Sequence, residues 1–322
     1  MKGLPARSMH PLLQLLLLVG LAIAGVSLAS FLALVGAQVL FGVSATDFGT
    51  LTTNPGRHAQ GWAALTLFQG LSLAGIGAGA LVLPLVLRQP VGRYFAPRRL
   101  GAGWWPLAAG LLILCLVPAL SAVVAWNAGA HFPGALHGFE QWARASEDQA
   151  AELTKFLTNF TSPGRLLAGL LAIAVVPAVA EELVFRGVVQ PNLQRWFGSR
   201  HLGIWLTAAT FSAVHMQFFG FVPRFVLGLV LGYLYEWSGN ILVSMAAHFT
   251  QNAFQLVLLY LAQGRHLPAT FDPDANQTLP WPTVLLSAAL SIGLLYWLHQ
   301  RMTAHAAPAT DTLAAPAAPP QP

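Results

Sequence analysis

Long apolar segments without charge constrain the fold of this chain more than any other feature of its sequence. The first two cover residues 11–41 and 62–87, and neither contains a charged residue or a histidine. About 20 apolar residues are enough for a helix to cross the hydrocarbon core of a bilayer. Only 8% of all residues are charged, whereas a soluble domain has about 25%. The sequence therefore predicts an all-α, polytopic membrane protein.

Further apolar segments bring the predicted number of transmembrane helices to about eight. They cover residues 104–126, 166–196, 202–219, 222–237, 241–262 and 281–299. The segment 11–41 is too long for a cleaved signal peptide, whose apolar region has about 7–15 residues. Residues 127–165 differ, because acidic and basic side chains are interspersed there with large apolar ones. This mixture predicts one or two amphipathic segments at the interface or outside the membrane.

The apolar segments and the positive charges predict four regions and an orientation. Residues 1–100 hold the N-terminal transmembrane helices and a basic loop, 101–165 the third helix and the amphipathic segment, 166–300 a helical core, and 301–322 a disordered Ala/Pro-rich tail. An even number of spans places both termini on one side. Arginines are concentrated in the loops on the same side of the membrane as the termini. Because positive charges favour the cytoplasmic side, this indicates that both termini are cytoplasmic. The same bias explains the net charge of +5, so no nucleic-acid partner is predicted.

Ionisable side chains inside the predicted spans, away from the span ends, are confined to the second half of the chain. They are Glu181, Glu182 and Arg186 in the fourth span, His215 in the fifth and His248 in the seventh. A charge at the centre of a bilayer costs about 2.5–3.5 kcal/mol even on the lenient insertion scale, and such groups usually face a protein or water-filled interior. We therefore expect these side chains to line one polar site.

Spacing along the helix predicts how the two glutamates are used. Glu182 and Arg186 are four residues apart, so they share a face and can form an ion pair. Glu181 is rotated by about 100° from Glu182 and faces elsewhere. Pro177, one turn before Glu181, removes a backbone hydrogen bond and tends to kink the helix, which could open space beside that carboxylate.

The two histidines also have partners at helical spacing. His248 shares a face with Asn252, and His215 shares one with Phe211, whose ring would form an aromatic wall. A glutamate in an apolar site can act as a general base near neutral pH, while a histidine and an amide can donate hydrogen bonds to an oxyanion. Two histidines and one carboxylate could also hold a metal ion with an open position for water. The sequence does not choose between a water held by a metal and a water held by the protein.

Three motifs formed by these residues resemble those of the CPBP intramembrane proteases. They are Glu181-Glu182-x-x-x-Arg186, Phe211-x-x-x-His215 and His248-x-x-x-Asn252, in this order and each within an apolar segment. The family includes the type II CAAX prenyl endopeptidases and bacterial bacteriocin-processing or self-immunity proteins. The resemblance extends over residues 176–252. It implies that the region 166–300 is a CPBP-type catalytic core, with an active site inside the membrane that opens to the cytoplasm.

The resemblance also implies a role for each residue. Glu181 would be the base that activates water, with His215 as its partner, and His248 and Asn252 would lie on the oxyanion side. The supporting or substrate-binding residues would be Glu182, Arg186 and Phe211. The family is usually labelled metallopeptidase, so a divalent metal such as zinc is a candidate cofactor. Its candidate ligands are Glu181, His215 and His248.

The function predicted from the sequence is that of an intramembrane endopeptidase. Its substrate would be a membrane protein or a lipidated, for example prenylated, peptide in the bilayer, and its location the plasma (inner) membrane of a bacterium. We expect loss of Glu182 to affect proteolysis less than loss of Glu181. Two alternatives stay open. One is a proton-coupled transporter that uses Glu181, His215 and His248 as a relay, although the sequence has no internal repeat of the kind found in many transporters. The other is a non-catalytic membrane scaffold or immunity protein of the same fold.

Overall fold

The computed structural model describes residues 9–51, 53–268 and 278–305, and within these ranges the protein contains helices, turns and loops but no strand. Its helices are numbered here in chain order. They are α1 (Pro11–Phe41), α2 (Ala45–Leu51), α3 (Gly61–Val86), α4 (Val91–Phe95), α5 (Trp105–Ala128), α6 (His137–Leu157), α7 (Pro163–Phe197), α8 (Arg200–Ala213), α9 (Phe221–Ser238), α10 (Ile241–Gln263) and α11 (Trp281–Ala304). Beyond residue 305, the predicted disordered tail lies outside the described residues.

Seven helices in the described ranges are long and apolar enough to cross a membrane, namely α1, α3, α5, α7, α9, α10 and α11. This finding confirms the predicted class, an all-α polytopic membrane protein. The expected count of about eight differs by one because α8 has only 14 residues. At 1.5 Å per residue it is about 21 Å long, which is less than the roughly 30 Å of the hydrocarbon core.

The apolar segment 202–219 is also interrupted earlier than the sequence predicts. Helix α8 ends at Ala213, and Met216 has a left-handed backbone with a φ of 54°. A short 3₁₀ turn, Phe218–Gly220, then leads into α9. His215 therefore lies in the turn between α8 and α9, and the expectation that it lies within a transmembrane helix is wrong.

Helices α1 and α3 form a closely packed antiparallel pair at the N-terminal end of the chain. Small residues allow the approach, since a Cβ atom on Gly75 would clash with the Gly25 carbonyl oxygen. The hydroxyls of Ser30 and Ser72 are hydrogen-bonded at 2.8 Å across the same interface. Small residues and interhelical hydrogen bonds of this kind are what join helices in a bilayer, where apolar side chains gain little from leaving lipid.

Helix α7 packs against both α3 and α10, and these contacts fix its position. A Cβ atom on Gly77 of α3 would lie 2.9 Å from the Cα atom of Ala180 in α7, so the two backbones nearly touch. On the α10 side, Ala174 of α7 and Leu256 share a buried apolar cluster. The part of α7 that holds the two glutamates is thus supported by rigid neighbouring helices.

The predicted amphipathic segment contains α6, which is not among the candidate spans. The Glu140 carboxylate in its first turn accepts hydrogen bonds from the Phe132 backbone N–H at 2.9 Å and from the Arg144 Nε–H at 3.0 Å. The Phe132 bond, then the Arg144 and His131 bonds, lower the pKa of Glu140 to about 2. Helix α6 is therefore tied to the loop that precedes it by a charged network.

The same helix also lies over the turn that follows His215. Glu147 of α6 accepts a hydrogen bond from the Phe219 backbone N–H at 3.0 Å. The Arg144 guanidinium carbon lies 3.9 Å from the centroid of the Phe219 ring, a distance at which a cation–π interaction is favourable. Phe139 packs edge-on against Phe218, with the ring centroids 5.0 Å apart. Together these contacts dock the amphipathic helix onto the α8–α9 turn.

Candidate active site

The backbone of α7 is irregular on both sides of its glutamates. The helix changes to π-helical geometry at Leu170–Val175 and again at Phe185–Val189. The regular segment Val176–Val184 between these two turns carries Glu181 and Glu182. Single π-turns inside α-helices are rare and occur frequently at functional sites. The irregular geometry thus frames the stretch that the sequence singles out.

Pro177 explains part of this irregularity and gives Asn252 a partner. Proline has no N–H, so the carbonyl of Ile173, four residues earlier, cannot receive its usual helical hydrogen bond from this position. The Asn252 amide of α10 donates to the Ile173 oxygen at 3.4 Å. A free backbone carbonyl is costly inside a membrane, and a side chain from the neighbouring helix satisfies this one.

Glu182 accepts two hydrogen bonds on one carboxylate oxygen. Its Oε1 atom lies 2.8 Å from Arg186 Nη1 and 2.9 Å from His248 Nδ1. Arg186 also donates from Nη2 to the Gly228 carbonyl of α9 at 2.9 Å. Glu182 and Arg186 are fully buried and His248 is 3% exposed. The predicted ion pair between Glu182 and Arg186 is therefore present, and it links α7 to both α9 and α10.

His248 lies between the two glutamates. Because a carboxylate can only accept, the bond to Glu182 assigns the proton to Nδ1, and in the neutral ring Nε2 then carries a lone pair. The Nε2 atom lies 3.8 Å from Glu181 Oε2, which is too far for a direct hydrogen bond. The Glu181 side chain is 18% exposed, whereas that of Glu182 is fully buried. Of the two glutamates, it is thus Glu181 whose carboxylate combines access with a nearby imidazole nitrogen.

Phe211 connects the second histidine to this group. Its ring centroid lies 5.8 Å from that of His248 and 5.3 Å from that of His215, and the Arg186 guanidinium carbon is 5.0 Å from the Phe211 centroid. His215 is half-buried, and its Nδ1 atom lies 2.9 Å from the Phe211 carbonyl oxygen. The carbonyl is an acceptor, so Nδ1 carries the proton in the neutral ring and Nε2 is left without one.

The contacts therefore join most of the predicted residues into one connected group. Its members are Glu181, Glu182, Arg186, Phe211, His215 and His248. Asn252 lies one turn from His248, but its amide is bonded to the backbone of α7. In the part of the chain that the structure describes, no three His, Cys, Asp or Glu side chains are grouped so that they could hold a metal ion. Of the three candidate metal ligands, Glu181 and His248 approach each other, whereas the contacts connect His215 to them through the Phe211 ring.

A polar row between α7 and α9 was missed in the sequence. Three α7 side chains, spaced four residues apart from Arg186 onward, each donate a hydrogen bond to the α9 residue that lies 42 positions later in the chain. The pairs are Arg186 with the Gly228 carbonyl, Gln190 with the Gly232 carbonyl and Gln194 with the Glu236 carboxylate. The glycine at position 232 permits the close packing on α7, since a Cβ atom there would lie 3.1 Å from Gln190 Oε1. The sequence did contain a signal for this row, namely the polar residues Gln190 and Gln194 that follow Arg186 at helical spacing.

Comparisons with known proteins find matches over the segment that contains the candidate site. Residues 163–254 match the profile of the family described as Rce1-like, type II CAAX prenyl endopeptidase Rce1-like. The match confirms the resemblance inferred from the three motifs, and every predicted site residue lies within it. At the level of that family, it supports a CAAX-type intramembrane protease.

One curated protein has sequence similarity over a stretch about as long as the family match. The chain is 32% identical over 93 residues to the uncharacterized protein YpbD of Bacillus subtilis (strain 168). The aligned part makes up 28% of this chain and 44% of YpbD, so it spans less than half the length of that relative. No solved structure matches the chain.

Proposed function

We propose that this protein is an intramembrane endopeptidase that hydrolyses a peptide bond of a membrane-associated substrate. The observation that carries the proposal is the position of His248, which binds the buried Glu182 through Nδ1 and faces Glu181 through Nε2 at 3.8 Å. Two acceptor atoms at this separation can share one water molecule that hydrogen-bonds to both. The match of residues 163–254 to a protease family supports the same conclusion.

Glu181 is the general base in this proposal. It takes a proton from the water, the water oxygen forms a bond to the carbonyl carbon of the peptide, and the resulting tetrahedral intermediate carries the negative charge on its oxygen. When the carbon–nitrogen bond breaks, the proton passes from Glu181 to the leaving amine. A positioned acid–base group of this kind contributes about 10²–10⁴-fold to the rate. Glu182 is less suited to the role because its side chain is fully buried, away from water, and because its Oε1 atom already accepts hydrogen bonds from Arg186 and His248.

The histidine roles are adjusted to the contacts. The approach of His248 to Glu181 supports His248, in place of His215, as the partner that orients the water. His215 would then stabilise the oxyanion, which requires its ring to be protonated or to turn because Nδ1 is bonded to the Phe211 carbonyl. Asn252 keeps its proposed place on the oxyanion side, although its bond to Ile173 also supports a structural role.

The substrate, the location and the cofactor are also proposed. The site lies on candidate spans α7 and α10, which favours a substrate that reaches it through the bilayer, such as a membrane protein or a lipidated peptide. We place the protein in a bacterial plasma membrane with both termini in the cytoplasm. With seven candidate spans, this orientation requires the 14-residue α8 and the turn after it to complete an eighth crossing. A divalent metal such as zinc stays a candidate, to be tested by metal analysis of the purified protein and by activity in the presence of a chelator.

The test compares cells that carry the wild-type chain, Glu181→Gln or Glu152→Gln. Glu152 lies exposed on α6, so Glu152→Gln is a matched control that makes the same chemical change away from the site. Quantitative proteomics of N-terminal peptides should show a membrane precursor that accumulates only with Glu181→Gln. Purified wild-type protein in nanodiscs should cleave that precursor, and Glu181→Gln should do so at least about 10²-fold more slowly.

Three results would contradict the proposal. Wild-type cleavage rates with Glu181→Gln would remove Glu181 as the base. Proton-coupled uptake by liposomes without any cleavage would favour a transporter. A cellular function that persists when Glu181 and His215 are both replaced would favour a non-catalytic scaffold or immunity protein.

A further inference from the structure

A cavity lies at the end of the bundle where α8 begins and where α9 and α11 end. Its volume is about 320 Å³, within the range of small-molecule sites. None of the residues proposed for catalysis lines it. Arg200 and His201 come from the first turn of α8, Tyr233 and Trp237 from the last turns of α9, and His299 from α11. The cavity is thus a cleft between helix ends, distinct from the candidate active site.

The charges in this cavity are unbalanced in favour of cations. Arg98 lines it and donates to the carbonyl oxygens of Trp237 at 3.0 Å and of Glu236 at 3.3 Å, so its guanidinium is fixed at the C-terminal end of α9. The Arg200 side chain is 80% exposed, and its Nε atom is 3.5 Å from the Glu236 carboxylate. Glu236 is the one carboxylate among the described lining residues, and Gln194 already donates to its other oxygen at 2.9 Å. The cavity is therefore lined by two arginines but by one carboxylate, which is paired with Arg200.

The two histidines add hydrogen-bonding groups to the same cleft. His201 Nδ1 is bonded to the Tyr233 hydroxyl at 2.8 Å, which leaves its Nε2 available. The His299 ring packs edge-on against Trp237 with the centroids 4.9 Å apart, and its ring nitrogens make no hydrogen bond to any described residue. The cleft thus offers cationic and N–H donors in excess of acceptors, as a ligand with several anionic oxygens requires.

The position of the cavity identifies the source of such a ligand. Candidate spans α9 and α11 end beside it, and aromatic side chains lie around it. Trp205, which is 51% exposed, donates to the Tyr233 hydroxyl at 3.3 Å, and Trp237 forms part of the wall. Tyrosine and tryptophan are enriched at the membrane–water interface, where lipid headgroups lie. Basic pockets between transmembrane helices bind anionic headgroups.

We propose that this cavity binds the phosphodiester headgroup of an anionic phospholipid. Arg200 and His299 would donate to the phosphate oxygens, and the fixed Arg98 would add positive potential. The Tyr233 and Trp237 rings would pack against the glycerol region. A free phosphate ion has the same charge chemistry but no acyl chains, so an experiment must separate the two sources.

The test measures lipid binding to the purified full chain by native mass spectrometry. The probes are dioleoyl phosphatidylglycerol and dioleoyl phosphatidylcholine, added separately, with inorganic phosphate as a competitor. The variants are Arg200→Gln and the matched control Arg93→Gln. Arg93 is an exposed arginine of α4 that does not line the cavity, so both variants remove the same charge. Because Arg200 is largely exposed, we expect both proteins to fold, and thermal unfolding checks this.

We expect the wild-type protein to bind phosphatidylglycerol more tightly than phosphatidylcholine. Arg200→Gln should weaken phosphatidylglycerol binding about fivefold, which corresponds to about 1 kcal/mol for one basic residue near the membrane surface. Arg93→Gln should change phosphatidylglycerol binding less than about twofold, since Arg93 does not line the cavity and its exposed charge is screened by salt. Equal binding of the two lipids by the wild-type protein would contradict the proposed site. An equal loss of phosphatidylglycerol binding in Arg200→Gln and Arg93→Gln would contradict it as well. Displacement of the lipid by millimolar phosphate would overturn the lipid source.

Discussion

Replacing Glu182 with glutamine should destabilise the protein far more than the same change at the neighbouring Glu181. The Glu182 carboxylate is the counter-ion of the fully buried Arg186 and the acceptor of the His248 Nδ1–H. Glutamine retains a carbonyl oxygen for one of these bonds but no charge. The Arg186 guanidinium would then keep its positive charge in a dry interior without its partner.

The size of the effect follows from the burial. Removing one member of a buried ion pair typically costs about 3–5 kcal/mol, because the remaining charge is left uncompensated. Glu181 has an 18% exposed side chain and only a 3.8 Å approach to His248. Glu181→Gln should therefore cost less than about 1 kcal/mol, as partly exposed ion pairs do. The two variants differ by one position in the chain and carry identical substitutions.

The free energy of unfolding can be measured by titrating mixed micelles with SDS and following tryptophan fluorescence, since the chain has ten tryptophans. The double variant Glu182→Gln/Arg186→Met should recover part of the loss, because it removes the unpaired charge together with its partner. Equal unfolding free energies for Glu181→Gln and Glu182→Gln would refute this reasoning. Strictly additive losses in the double variant would do the same.

Three further outcomes are expected. At wild-type levels of folded protein, Glu181→Gln should lower the cleavage rate by about 10²–10⁴-fold, as measured on the accumulated precursor. Asn252→Ala should lower the free energy of unfolding by about 1–3 kcal/mol because the Ile173 carbonyl loses its donor, and less so when Pro177→Ala restores the backbone N–H. The pKa of Glu140 is lowered from an ordinary 4.5 to about 2 in the folded protein. The ionised Glu140 carboxylate therefore stabilises the folded state fully above pH 4.5, and this stabilisation is lost as the pH falls towards 2. The difference in melting temperature between wild type and Glu140→Gln should therefore shrink over that interval.

Much of the helical architecture could be predicted from hydrophobicity alone. The segment predicted at 241–262 is the helix Ile241–Gln263, which begins where the Asn240 side chain accepts a hydrogen bond from the Leu242 N–H. The end of α8 could not be predicted in this way. No glycine or proline marks Ala213, and the apolar segment continues through the turn to Phe219. The left-handed backbone of Met216, which hydropathy does not report, breaks the helix there.

The local part of the site was predictable and the interhelical part was not. The four-residue spacing indicated the Glu182–Arg186 pair, which the structure contains. The spacing could not reveal that His248 contacts both glutamates, because this depends on the rotation of α10 relative to α7. The structural role of Glu182 also changes how a variant at this position should be interpreted. A loss of proteolysis in Glu182→Ala would reflect less folded protein, and only a rate per folded molecule compares it with Glu181→Ala.

Residues 127–165, which precede the motifs, show most clearly that contacts between distant parts of the chain could not be predicted from the sequence. The composition of this segment indicated an amphipathic helix but no function, because the residues it contacts lie far along the chain. Glu147 of α6 holds the backbone of Phe219, and Arg144 stacks on the Phe219 ring, four residues after His215. The position of a proposed oxyanion residue is thus set from outside the membrane span. A three-motif core grafted without this helix would contain the motif residues but lack the contacts that hold the α8–α9 turn in place.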